Sequence, residues 1–447
     1  MDDAFTRACA LDTDGNPDAA REAYIAMLRI DPTHVGALTN LGTLLYHNGY
    51  RRAGRLAYAE AVSRHPAHLL ARLNLAAALL DEGEHERARE QYEVALLLDS
   101  DDIRVHQGLA ILSARNGDWR AAHRHGSLGF RSAPVRSSPV YRAAKRTRIL
   151  LLTSAIGGNV DTERIFDPEL FACDTLIAEF YKPQMRIENY ALVFNAVGDA
   201  ERSALALERA ARFLHGYPVR ALNRPEAVQA TTRLHNAHRF ASIRGVRTAK
   251  TTQHTRSSLR AEDLTYPTLI RSPGYHTGEH FLRVERAADL ETALALLPTE
   301  EILALEYIDT RERDGFFRKY RASIVGERLF PLHLAMSKDW KVHYYSAEMT
   351  SPLHRAEELA FLADMPRTLG RRAMDALHEI RAGLSLDYGG IDFTVDARGD
   401  LVLFEANATM NLLPPEEGSA PERIAAVTAV RSAVTQLLQE CATAGNR

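Results

Sequence analysis

The stretch GGIDFTVDARGDLVLFEAN, residues 389–407, decides the fold of the C-terminal part of the chain. Its two halves alternate apolar and polar residues with a period of two, and a polar run separates them. We therefore predict a β-hairpin closed by a four-residue loop at 397–400. This register places Asp392 opposite Glu405, with Asn407 two residues further along the same face. It also pairs 396 with 401 and 394 with 403, and it directs six residues into a core: Ile391, Phe393, Val395, Val402, Phe404 and Ala406.

Two facing carboxylates whose Cβ atoms are roughly 5 Å apart repel each other. A divalent cation relieves this repulsion, and two carboxylates with one amide carbonyl form an all-oxygen set that suits Mg²⁺ or Mn²⁺. We therefore interpret Asp392, Glu405 and Asn407 as candidate metal ligands. The alternative is a solvated hairpin whose exposed face is acidic without binding a metal.

Length and composition bound the class of protein. A chain of 447 residues has room for two to four domains, and a net charge of −3 provides no basic field for nucleic acid or for an anionic membrane. Cys9, Cys173 and Cys441 are far apart, which is typical of a reducing compartment. The start, Met1-Asp2-Asp3, does not resemble a signal peptide, and no apolar run approaches the roughly 18 residues of a membrane helix. We expect a cytoplasmic protein.

The N-terminal third repeats itself every 34 residues: Gly49, Gly83 and Gly117 recur at this spacing, and Tyr24, Tyr58 and Tyr92 keep the same register. This period, with small residues where helices would cross, resembles the tetratricopeptide repeat. The resemblance implies an all-α superhelix over residues 1–136. It predicts four helix pairs, at 1–34, 35–68, 69–102 and 103–136.

Repeats of this type present a concave face to a peptide or protein partner. The alternatives are that the array only packs on the rest of the chain or forms a homodimer. Residues 137–147, with serine, proline and several cations, break the helical pattern and are predicted to form a linker.

Residues 148–230 alternate short apolar runs with a helical pattern, which predicts an α/β domain with a parallel sheet. The glycines at 157 and 158 form too short a loop for a dinucleotide, so we do not expect a nicotinamide enzyme. Asn195 follows a predicted strand, where open α/β sheets bind ligands. An Asx turn that caps the next helix is an equal alternative for this residue.

A second group of residues points to a nucleotide. The strand 266–271 ends in Arg271, and the loop after it contains Gly274, His276 and Gly278. Such a loop can lay backbone N–H groups over phosphates while the cation contacts the same anion. A plain hairpin is the alternative.

The strand 302–309 includes Glu306, Tyr307 and Ile308. Its backbone has the hydrogen-bonding groups to meet an adenine edge, with Tyr307 and Ile308 as apolar cover.

A basic strand and turn follow. Lys319 and Arg321 lie on one predicted strand, His333 lies on the next, and Lys338 comes directly after it. These groups can meet phosphate or a substrate carboxylate, and we take Arg321 and Lys338 as candidate catalytic residues. The alternative is ion pairing with nearby acidic residues: Glu306, Asp309 or Glu348.

In this order the elements resemble the ATP-grasp superfamily over about residues 146–420, because its last two strands carry an acidic residue and then Glu-x-Asn, as Asp392 and Glu405-Ala406-Asn407 do. Similar layouts occur in D-alanine–D-alanine ligase, glutathione synthetase and ribosomal-protein glutamate ligases. The resemblance implies a nucleotide-binding subdomain at 231–310 and a metal- and substrate-binding subdomain with a C-terminal helix at 311–447. The predicted fold class is thus α+β and multidomain: tetratricopeptide repeats, an α/β pre-domain at 148–230 and an ATP-grasp fold.

The resemblance also implies roles. Asp392, Glu405 and Asn407 would hold two Mg²⁺ ions against ATP, and Arg271 would replace the usual phosphate-binding lysine. Residues 274–278, His276 included, would be the phosphate flap, and 306–309 the adenine hinge. The remaining roles fall to cations: Lys319 on the nucleotide, Arg321 on the acyl phosphate, and Arg233 or Arg239 as an earlier ATP contact.

The family's usual reaction joins a carboxylate substrate to an amine acceptor. The carboxylate attacks the γ-phosphate of ATP, and the amine then displaces phosphate from the acyl phosphate. Two rival interpretations remain: a repeat adaptor with a non-catalytic nucleotide domain, and a small-molecule kinase on the same fold.

Overall fold

The computed structural model describes residues 2–137, 146–276, 278–344, 347–410, 412 and 420–444. Most of the predicted linker and Thr277 of the predicted flap therefore lie outside the described residues. The chain forms two compact units. The first contains residues 1–150 and 169–189, and the second contains residues 151–168 and 190–447.

The first unit begins with four helix pairs, which confirms the predicted repeats. The helices are α1 (Asp2–Thr13), α2 (Pro17–Ile30), α3 (Val35–His47), α4 (Arg51–Arg64), α5 (Leu69–Asp81), α6 (His85–Leu98), α7 (Ile103–Arg115) and α8 (Trp119–Gly129). The turn within each pair contains a glycine at positive φ, between 77° and 89°. Glycine adopts this conformation without the strain that a Cβ atom causes, which explains why it recurs at Gly15, Gly49, Gly83 and Gly117.

The small residues of the repeat mark places where helices approach closely. A Cβ atom on Gly42 would lie 2.7 Å from the Tyr58 ring, and Tyr58 is buried. In the last repeat, a Cβ on Gly126 would lie 2.6 Å from the Phe180 ring, and one on Gly129 would lie 2.6 Å from the backbone nitrogen of Gln107. The glycines of the last repeat are thus required by close packing.

Three strands follow the repeats: β1 (Val135–Ser137), β2 (Thr147–Thr153) and β3 (Phe171–Ile177). Within the first unit, β1 pairs antiparallel with β3. The chain passes from the first unit to the second within β2.

The second unit contains the remaining elements. Its helices are α9 (Thr162–Ile165), α10 (Ala204–Gly216), α11 (Pro225–Gln229), α12 (Arg233–Phe240), α13 (Leu290–Ala295), α14 (Pro352–Ala363), α15 (Met365–Leu384) and α16 (Pro421–Ala444). Its strands are β4 (Leu192–Asn195), β5 (Ala221–Leu222), β6 (Val246–Thr248), β7 (Thr251–Thr255), β8 (Thr268–Arg271), β9 (Phe281–Val284), β10 (Glu301–Glu306), β11 (Phe317–Val325), β12 (Arg328–Ser337), β13 (Tyr388–Val395) and β14 (Leu401–Asn407).

The strands β4 and β5 pair in parallel, as an α/β pre-domain requires. Asn195, at the end of β4, is fully buried. Its side-chain oxygen accepts the Val197 N–H at 3.2 Å, and its amide donates to the Asn223 carbonyl at 2.8 Å. Asn195 therefore makes an Asx turn, as one alternative predicted, but it does not cap the next helix, α10, which begins at Ala204 after Ser203.

Two further sheets build the larger part of the second unit. One is antiparallel with the order β7-β10-β8-β9, and its apolar face covers a core that includes Ile270 and Ile302. The other has the order β12-β11-β13-β14-β6, with β6 parallel to β14 and the remaining neighbours antiparallel. Ile391 and Phe393 of β13 are completely buried in its core.

The predicted hairpin is present, but only part of its predicted register is right. Asp392 pairs with Glu405 as predicted, whereas 394 pairs with 402 and 395 with 401. The Asp396 carboxylate accepts the N–H groups of Arg398 and Asp400, which makes the turn one residue longer than predicted. A bulge between the paired strands, at Phe404, restores the register.

The bulge also corrects the predicted orientation of Phe404. Its side chain is 42% exposed and lies outside the core, whereas Val402 and Ala406 are buried as predicted.

Among the described residues, no helix combines the length and the apolar character needed to cross a bilayer. The cysteines Cys9, Cys173 and Cys441 are all free thiols.

Candidate functional site

A cavity of about 900 Å³ lies within the second unit, and residues from the four-stranded and the five-stranded sheet line it. Arg271 and Leu305 come from the four-stranded sheet, whereas Arg321, Asp392 and Glu405 come from the five-stranded sheet. A volume of this size accommodates a nucleotide-sized ligand.

Four ionisable side chains form a row across the floor of this cavity. Glu405 pairs with Asp392 across β14 and β13, Asp392 pairs with Arg321 across β13 and β11, and Arg321 pairs with His333 across β11 and β12. Directly opposed residues share one face of a sheet, so the register brings these groups together. We call Glu405, Asp392, Arg321 and His333 the cross-strand row.

Asp392 lies at the centre of the row and is almost completely buried. Arg321 donates to it from Nε at 2.6 Å and from Nη2 at 2.7 Å, and the Lys319 Nζ atom lies 3.4 Å from the same carboxylate. Burial opposes ionisation of this carboxyl, but the charges of Arg321 and Lys319 and the hydrogen bonds from Arg321 hold its pKa well below its usual range. Asp392 is therefore a buried, ionised carboxylate held between two cations.

Glu405 is paired with a different cation, Arg233. Arg233, the first residue of α12, donates from Nη2 to Glu405 Oε1 and from Nη1 to Glu201 at 2.6 Å. Burial opposes the charge of Arg233, but Glu405 and Glu201 raise its pKa above the usual value. Burial raises the pKa of the Glu405 carboxyl, and the charges of Arg233 and Arg271 more than offset this and lower it. Arg233 thus fixes Glu405 in place.

Arg271 ends β8 and is buried beside these groups. Burial, followed by repulsion from Arg233, lowers the pKa of its guanidinium to about 10. One nitrogen, Nη2, donates to the Tyr275 carbonyl, whereas the buried Nε has no hydrogen-bond partner among the described residues. A buried cation with an unused donor is costly unless a ligand supplies an acceptor.

The loop after Arg271 is held over the cavity by three contacts. The Gly274 N–H donates to Glu201 at 2.9 Å, His276 Nε2 lies 2.7 Å from the Asp199 carboxylate, and Lys341 Nζ donates to the Gly278 carbonyl at 3.2 Å. Burial raises the pKa of Asp199, but the hydrogen bond and charge of His276, with the backbone N–H groups of Arg202 and Glu201, together lower it below its usual value. Gly274 and Gly278 both have positive φ, at 75° and 76°.

One end of the cavity is apolar. Its lining includes Leu269, Leu305, Tyr307, Ile308 and the exposed ring of Phe404. The Tyr307 ring is held from one side by Arg283, whose Cζ atom lies 4.0 Å from its centroid. This end of the cavity suits a flat aromatic ligand group.

The oxygen set predicted for a metal is present on one edge of the hairpin. Asn407 Nδ2 donates to Glu405 at 2.9 Å, and its Oδ1 accepts the Thr409 N–H at 3.0 Å. Each of the two carboxylates also contacts an arginine: Arg321 donates to Asp392, and Arg233 donates to Glu405. Each carboxylate retains lone pairs, and the two carboxylates and the amide oxygen fit Mg²⁺ chemically. The described residues contain no cluster of three or more His, Cys, Asp or Glu side chains that would suit a metal.

Most of the predicted site residues line the cavity. They are Arg271, His276, Gly278, Glu306, Tyr307, Ile308, Lys319, Arg321, Asp392, Glu405 and Asn407. Gly274 does not line it and contributes through the anchored loop.

Lys338 and Arg239 are not brought to the cavity. Lys338 is exposed, and its Nζ atom lies over the Phe316 ring at 5.5 Å. The guanidinium of Arg239 lies over the Phe240 ring at 4.6 Å and donates to Asn236 at 3.1 Å. Lys341 and Arg233 line the cavity instead.

The sequence interpretation missed several lining residues, including Trp340, Phe404, Glu358 and Arg423. Arg233 was one of two alternatives, with Arg239, for an earlier ATP contact, and it is the one that lines the cavity. Phe404 followed the alternation of its strand and gave no signal of the bulge.

Comparison with known proteins identifies the repeats. Residues 50–112 match the family of tetratricopeptide repeats. The first unit therefore contains tetratricopeptide repeats. No curated protein matches the chain.

Several solved structures are similar to a portion of the chain. The crystal structure of MamA is 20% identical over 28% of this chain and 74% of MamA, with a TM-score of 0.27. MamA from Desulfovibrio magneticus is 23% identical over 29% of this chain and 72% of that protein, with a TM-score of 0.27. The VanG D-Ala:D-Ser ligase from Enterococcus faecalis is 13% identical over 66% of this chain and 100% of the ligase, with a TM-score of 0.42. The elements of the chain and the family match confirm the predicted helical repeats followed by an α/β region.

Proposed function

We propose that the second unit is an ATP-dependent carboxylate–amine ligase that works through an acyl phosphate. One observation carries this proposal. A buried arginine with an unused donor, Arg271, faces the same cavity as two opposed carboxylates, Asp392 and Glu405. Arg271 calls for an anion, and the two carboxylates call for a cation. The magnesium complex of a nucleoside triphosphate provides both.

The triphosphate would be bound by cations of the cavity wall. Arg271 donates to the Tyr275 carbonyl and Lys341 donates to the Gly278 carbonyl, and both cations line the cavity together with Lys319. Loss of hydration lowers the pKa of Arg271, so an anionic ligand gains strongly from contact with this group. The glycines of the loop let its backbone approach phosphate oxygens closely.

The adenine would occupy the apolar end. Tyr307 and Ile308 follow β10, and Phe404 lies on the opposite sheet, so apolar side chains of both sheets are available to a flat base. The backbone beyond Glu306 leaves the regular strand and provides hydrogen-bonding groups for the edge of the base.

Asp392, Glu405 and Asn407 would hold Mg²⁺. The bound metal supplies positive charge to the phosphate oxygens during transfer. Arg233 orients Glu405, and Arg321 keeps Asp392 ionised, so both ligands are ready as anions.

In the proposed reaction a substrate carboxylate oxygen attacks the γ-phosphorus and ADP leaves with the electrons of the broken P–O bond. The amine nitrogen then attacks the carbonyl carbon of the acyl phosphate, inorganic phosphate leaves, and the nitrogen loses a proton. Arg321 lines the cavity together with Lys319 and would stabilise the negative charge of the phosphate in both steps. Burial lowers the pKa of His333 well below its usual value, so this neighbour stays neutral and does not oppose the arginine.

The repeats would present a peptide or protein partner to the enzyme. Tetratricopeptide arrays bind extended segments on a concave face, and this chain contains four consecutive helix pairs.

Release of ADP tests the proposal. The full chain is incubated with Mg²⁺, ATP and pools of carboxylic acids and amines, and products are analysed by mass spectrometry. We expect ADP and an amide, both dependent on one acid and one amine. Nucleotide binding without any turnover would favour the adaptor, and a stable phosphorylated product without an amide would favour the kinase.

Two variants locate the chemistry. Asp392→Asn and Glu405→Gln should each reduce turnover by at least about 100-fold because they remove ligands of the metal. The matched control is Glu327→Gln, at an exposed residue outside the cavity, which should keep full activity. Circular dichroism checks that each variant is folded.

A further inference from the structure

Glu201 is a carboxylate that several groups of the cavity wall share. It lies in the segment between β4 and α10. Its Oε1 atom accepts the backbone N–H of Arg233 at 3.1 Å, and its Oε2 atom accepts Arg233 Nη1 at 2.6 Å and the Gly274 N–H at 2.9 Å. The Glu201 side chain is 9% exposed and does not line the large cavity. Any effect of Glu201 on a ligand in that cavity therefore passes through its partners, Arg233 and Gly274.

Arg233 links Glu201 to the candidate metal ligand Glu405. Its Nη1 atom donates to Glu201, and its Nη2 atom donates to Glu405. A guanidinium is planar and rigid, so a carboxylate bound to one nitrogen fixes the direction in which the other nitrogen points. Glu201 thereby fixes the orientation in which Arg233 meets Glu405.

The charges of these three side chains do not cancel. Two carboxylates, Glu201 and Glu405, share one guanidinium, so the group keeps an excess of negative charge. Because Glu201 takes part of the positive charge of Arg233, that charge neutralises Glu405 only in part. Without Glu201 the whole charge of Arg233 would act on Glu405, and this carboxylate would attract a cation less strongly.

The segment that carries Glu201 also holds the loop after β8. The Gly274 N–H donates to Glu201, and His276 Nε2 lies 2.7 Å from the Asp199 carboxylate. Asp199 is 4% exposed, and its Oδ1 atom accepts the N–H groups of Glu201 and Arg202, both at 2.9 Å. These hydrogen bonds fix the turn from which both carboxylates project. The loop and the Glu201 carboxylate are therefore held by the same short segment.

We propose that Glu201 is a positioning residue of the ligase: it shares Arg233 with Glu405, so that Glu405 stays available to a metal cation, and it fixes the loop at Gly274 over the phosphates. This inference rests on the proposed function, because it names a residue that prepares the site for the magnesium complex of the nucleotide. Both effects have one origin, since the same oxygen, Oε2, accepts hydrogen bonds from Arg233 and Gly274. Loss of the carboxylate should therefore weaken magnesium-dependent binding and free the loop.

Calorimetric titration of the full chain with a non-hydrolysable ATP analogue tests the first effect. Each protein is titrated with and without Mg²⁺, and the ratio of the two affinities is the magnesium gain. Glu201→Gln removes the charge but keeps the size of the side chain, and it should lower the magnesium gain at least about tenfold, because Arg233 then neutralises Glu405 more fully. Affinity for the analogue without Mg²⁺ should stay the same or rise, since a negative charge near the phosphates is removed. A merely structural role would weaken binding under both conditions, and an unchanged magnesium gain would contradict the inference.

Hydrogen exchange of the nucleotide-free chain tests the second effect. Glu201→Ala removes the acceptor of the Gly274 N–H, so the peptide that contains Gly274 should exchange at least about tenfold faster than in the wild type. Glu201→Gln keeps an acceptor oxygen and should exchange like the wild type at this peptide. Peptides from β11 and β13 should be unchanged in both variants. Exchange that is faster throughout the second unit, or unchanged at Gly274, would contradict the inference. If Glu201→Ala does not fold, the magnesium gain of Glu201→Gln decides the question.

Glu208→Gln is the matched control, because it makes the same substitution at an exposed residue of α10. Glu208 accepts a hydrogen bond from Arg212 on the same helix and does not line the cavity. Its magnesium gain should stay within about twofold of the wild-type value, as expected for an exposed charge. If this control loses as much of the magnesium gain as Glu201→Gln does, the assignment to Glu201 is wrong.

The same titrations separate this inference from the proposed function. If the wild type forms an amide while Glu201→Gln keeps the full magnesium gain, the ligase stands and the role of Glu201 is wrong. If the wild type binds no nucleotide with or without Mg²⁺, the proposed function is wrong, and the inference that depends on it is wrong as well.

Discussion

Arg321 and Asp392, paired across neighbouring strands, are joined by two hydrogen bonds of 2.6 and 2.7 Å in the interior of the second unit. Asp392 is 2% exposed, so this is a buried ion pair. A pair of this kind contributes modestly to stability when complete and is costly when one partner is removed. Its presence at the floor of a large cavity is better explained by a role in binding than by stability.

The first prediction concerns this pair. Arg321→Met should destabilise the second unit by about 3 kcal/mol, because it leaves Asp392 buried with only Lys319 nearby. The double variant Arg321→Met with Asp392→Leu should lose much less than the sum of the two single losses. Urea unfolding of the wild type, the two single variants and the double variant measures this double-mutant cycle. Additive losses of unfolding free energy would contradict a coupled pair.

The second prediction is a pH dependence. The pKa of Asp392 is lower in the folded chain than in the unfolded chain, so the unfolded state takes up the proton first as the pH falls. The stabilisation is therefore present above the unfolded pKa and is lost as the pH falls through the folded value. The difference in unfolding free energy between wild type and Asp392→Asn should stay constant from pH 7 to about pH 4 and shrink only below that. A difference that shrinks already between pH 7 and pH 5 would contradict the lowered pKa.

The third prediction concerns the proposed phosphate contact. Arg271→Met should weaken binding of the ATP analogue by about 100-fold, and Arg271→Lys by about tenfold, because lysine keeps the charge but loses the planar donor geometry. Arg239→Met is the control: this arginine lies outside the cavity and should leave affinity within about twofold. Calorimetry measures all three, and a larger effect at Arg239 than at Arg271 would reverse the assignment.

The fourth prediction concerns the bulged aromatic residue. Phe404→Ala should weaken binding of the adenine nucleotide by about threefold to tenfold. This loss corresponds to the ~0.5–1.5 kcal/mol that an aromatic contact contributes. Stability should change little because the ring is exposed. Inorganic triphosphate, which lacks the base, should bind the variant and the wild type equally. Leu353→Ala, at a side chain that is 81% exposed and does not line the cavity, is the control. Equal loss for triphosphate and nucleotide would place the base elsewhere.

The fifth prediction concerns the last repeat. Gly129→Ala should destabilise the first unit by about 1–3 kcal/mol, since its Cβ would lie 2.6 Å from the Gln107 backbone nitrogen, which cannot move aside as a side chain does. Gly216→Ala, where a Cβ meets nothing within 4 Å, is the control and should be neutral. Thermal unfolding followed by circular dichroism compares them. A neutral Gly129→Ala would mean that the helices separate easily at this crossing.

The sequence predicted those features that arise from local or periodic patterns. A glycine every 34 residues marks a turn that needs positive φ, and this requirement repeats wherever the turn repeats. Alternation within a hairpin likewise decides which residues face each other, so the pairing of Asp392 with Glu405 could be predicted.

Other features, such as the length of a turn or the direction of a loop, change when the chain is shifted by a single residue. The longer turn at Asp396 and the compensating bulge at Phe404 shift half of the hairpin register. Among the lysines after β12, Lys341 reaches the cavity and Lys338 does not, because side chains of Ser337 and Asp339 accept the backbone N–H groups of Asp339 and Lys341 and turn the chain. Neither result follows from residue type alone.

The partners of the acidic groups could not be predicted because they come from distant parts of the chain. Glu405 meets Arg233, and Asp199 meets His276, across long sequence separations. The ion pair of Glu358 and Arg423 depends on the distance between two helices. Only the assembled fold shows such contacts.

A structure of the full chain with Mg²⁺ and a non-hydrolysable ATP analogue tests the central claim most directly. The proposal predicts the phosphates against Arg271 and Lys341, the metal among Asp392, Glu405 and Asn407, and the base beside Tyr307 and Phe404. A nucleotide bound outside this cavity, or a cavity that stays free of nucleotide while Asp392 and Glu405 keep their arginine partners, would contradict it.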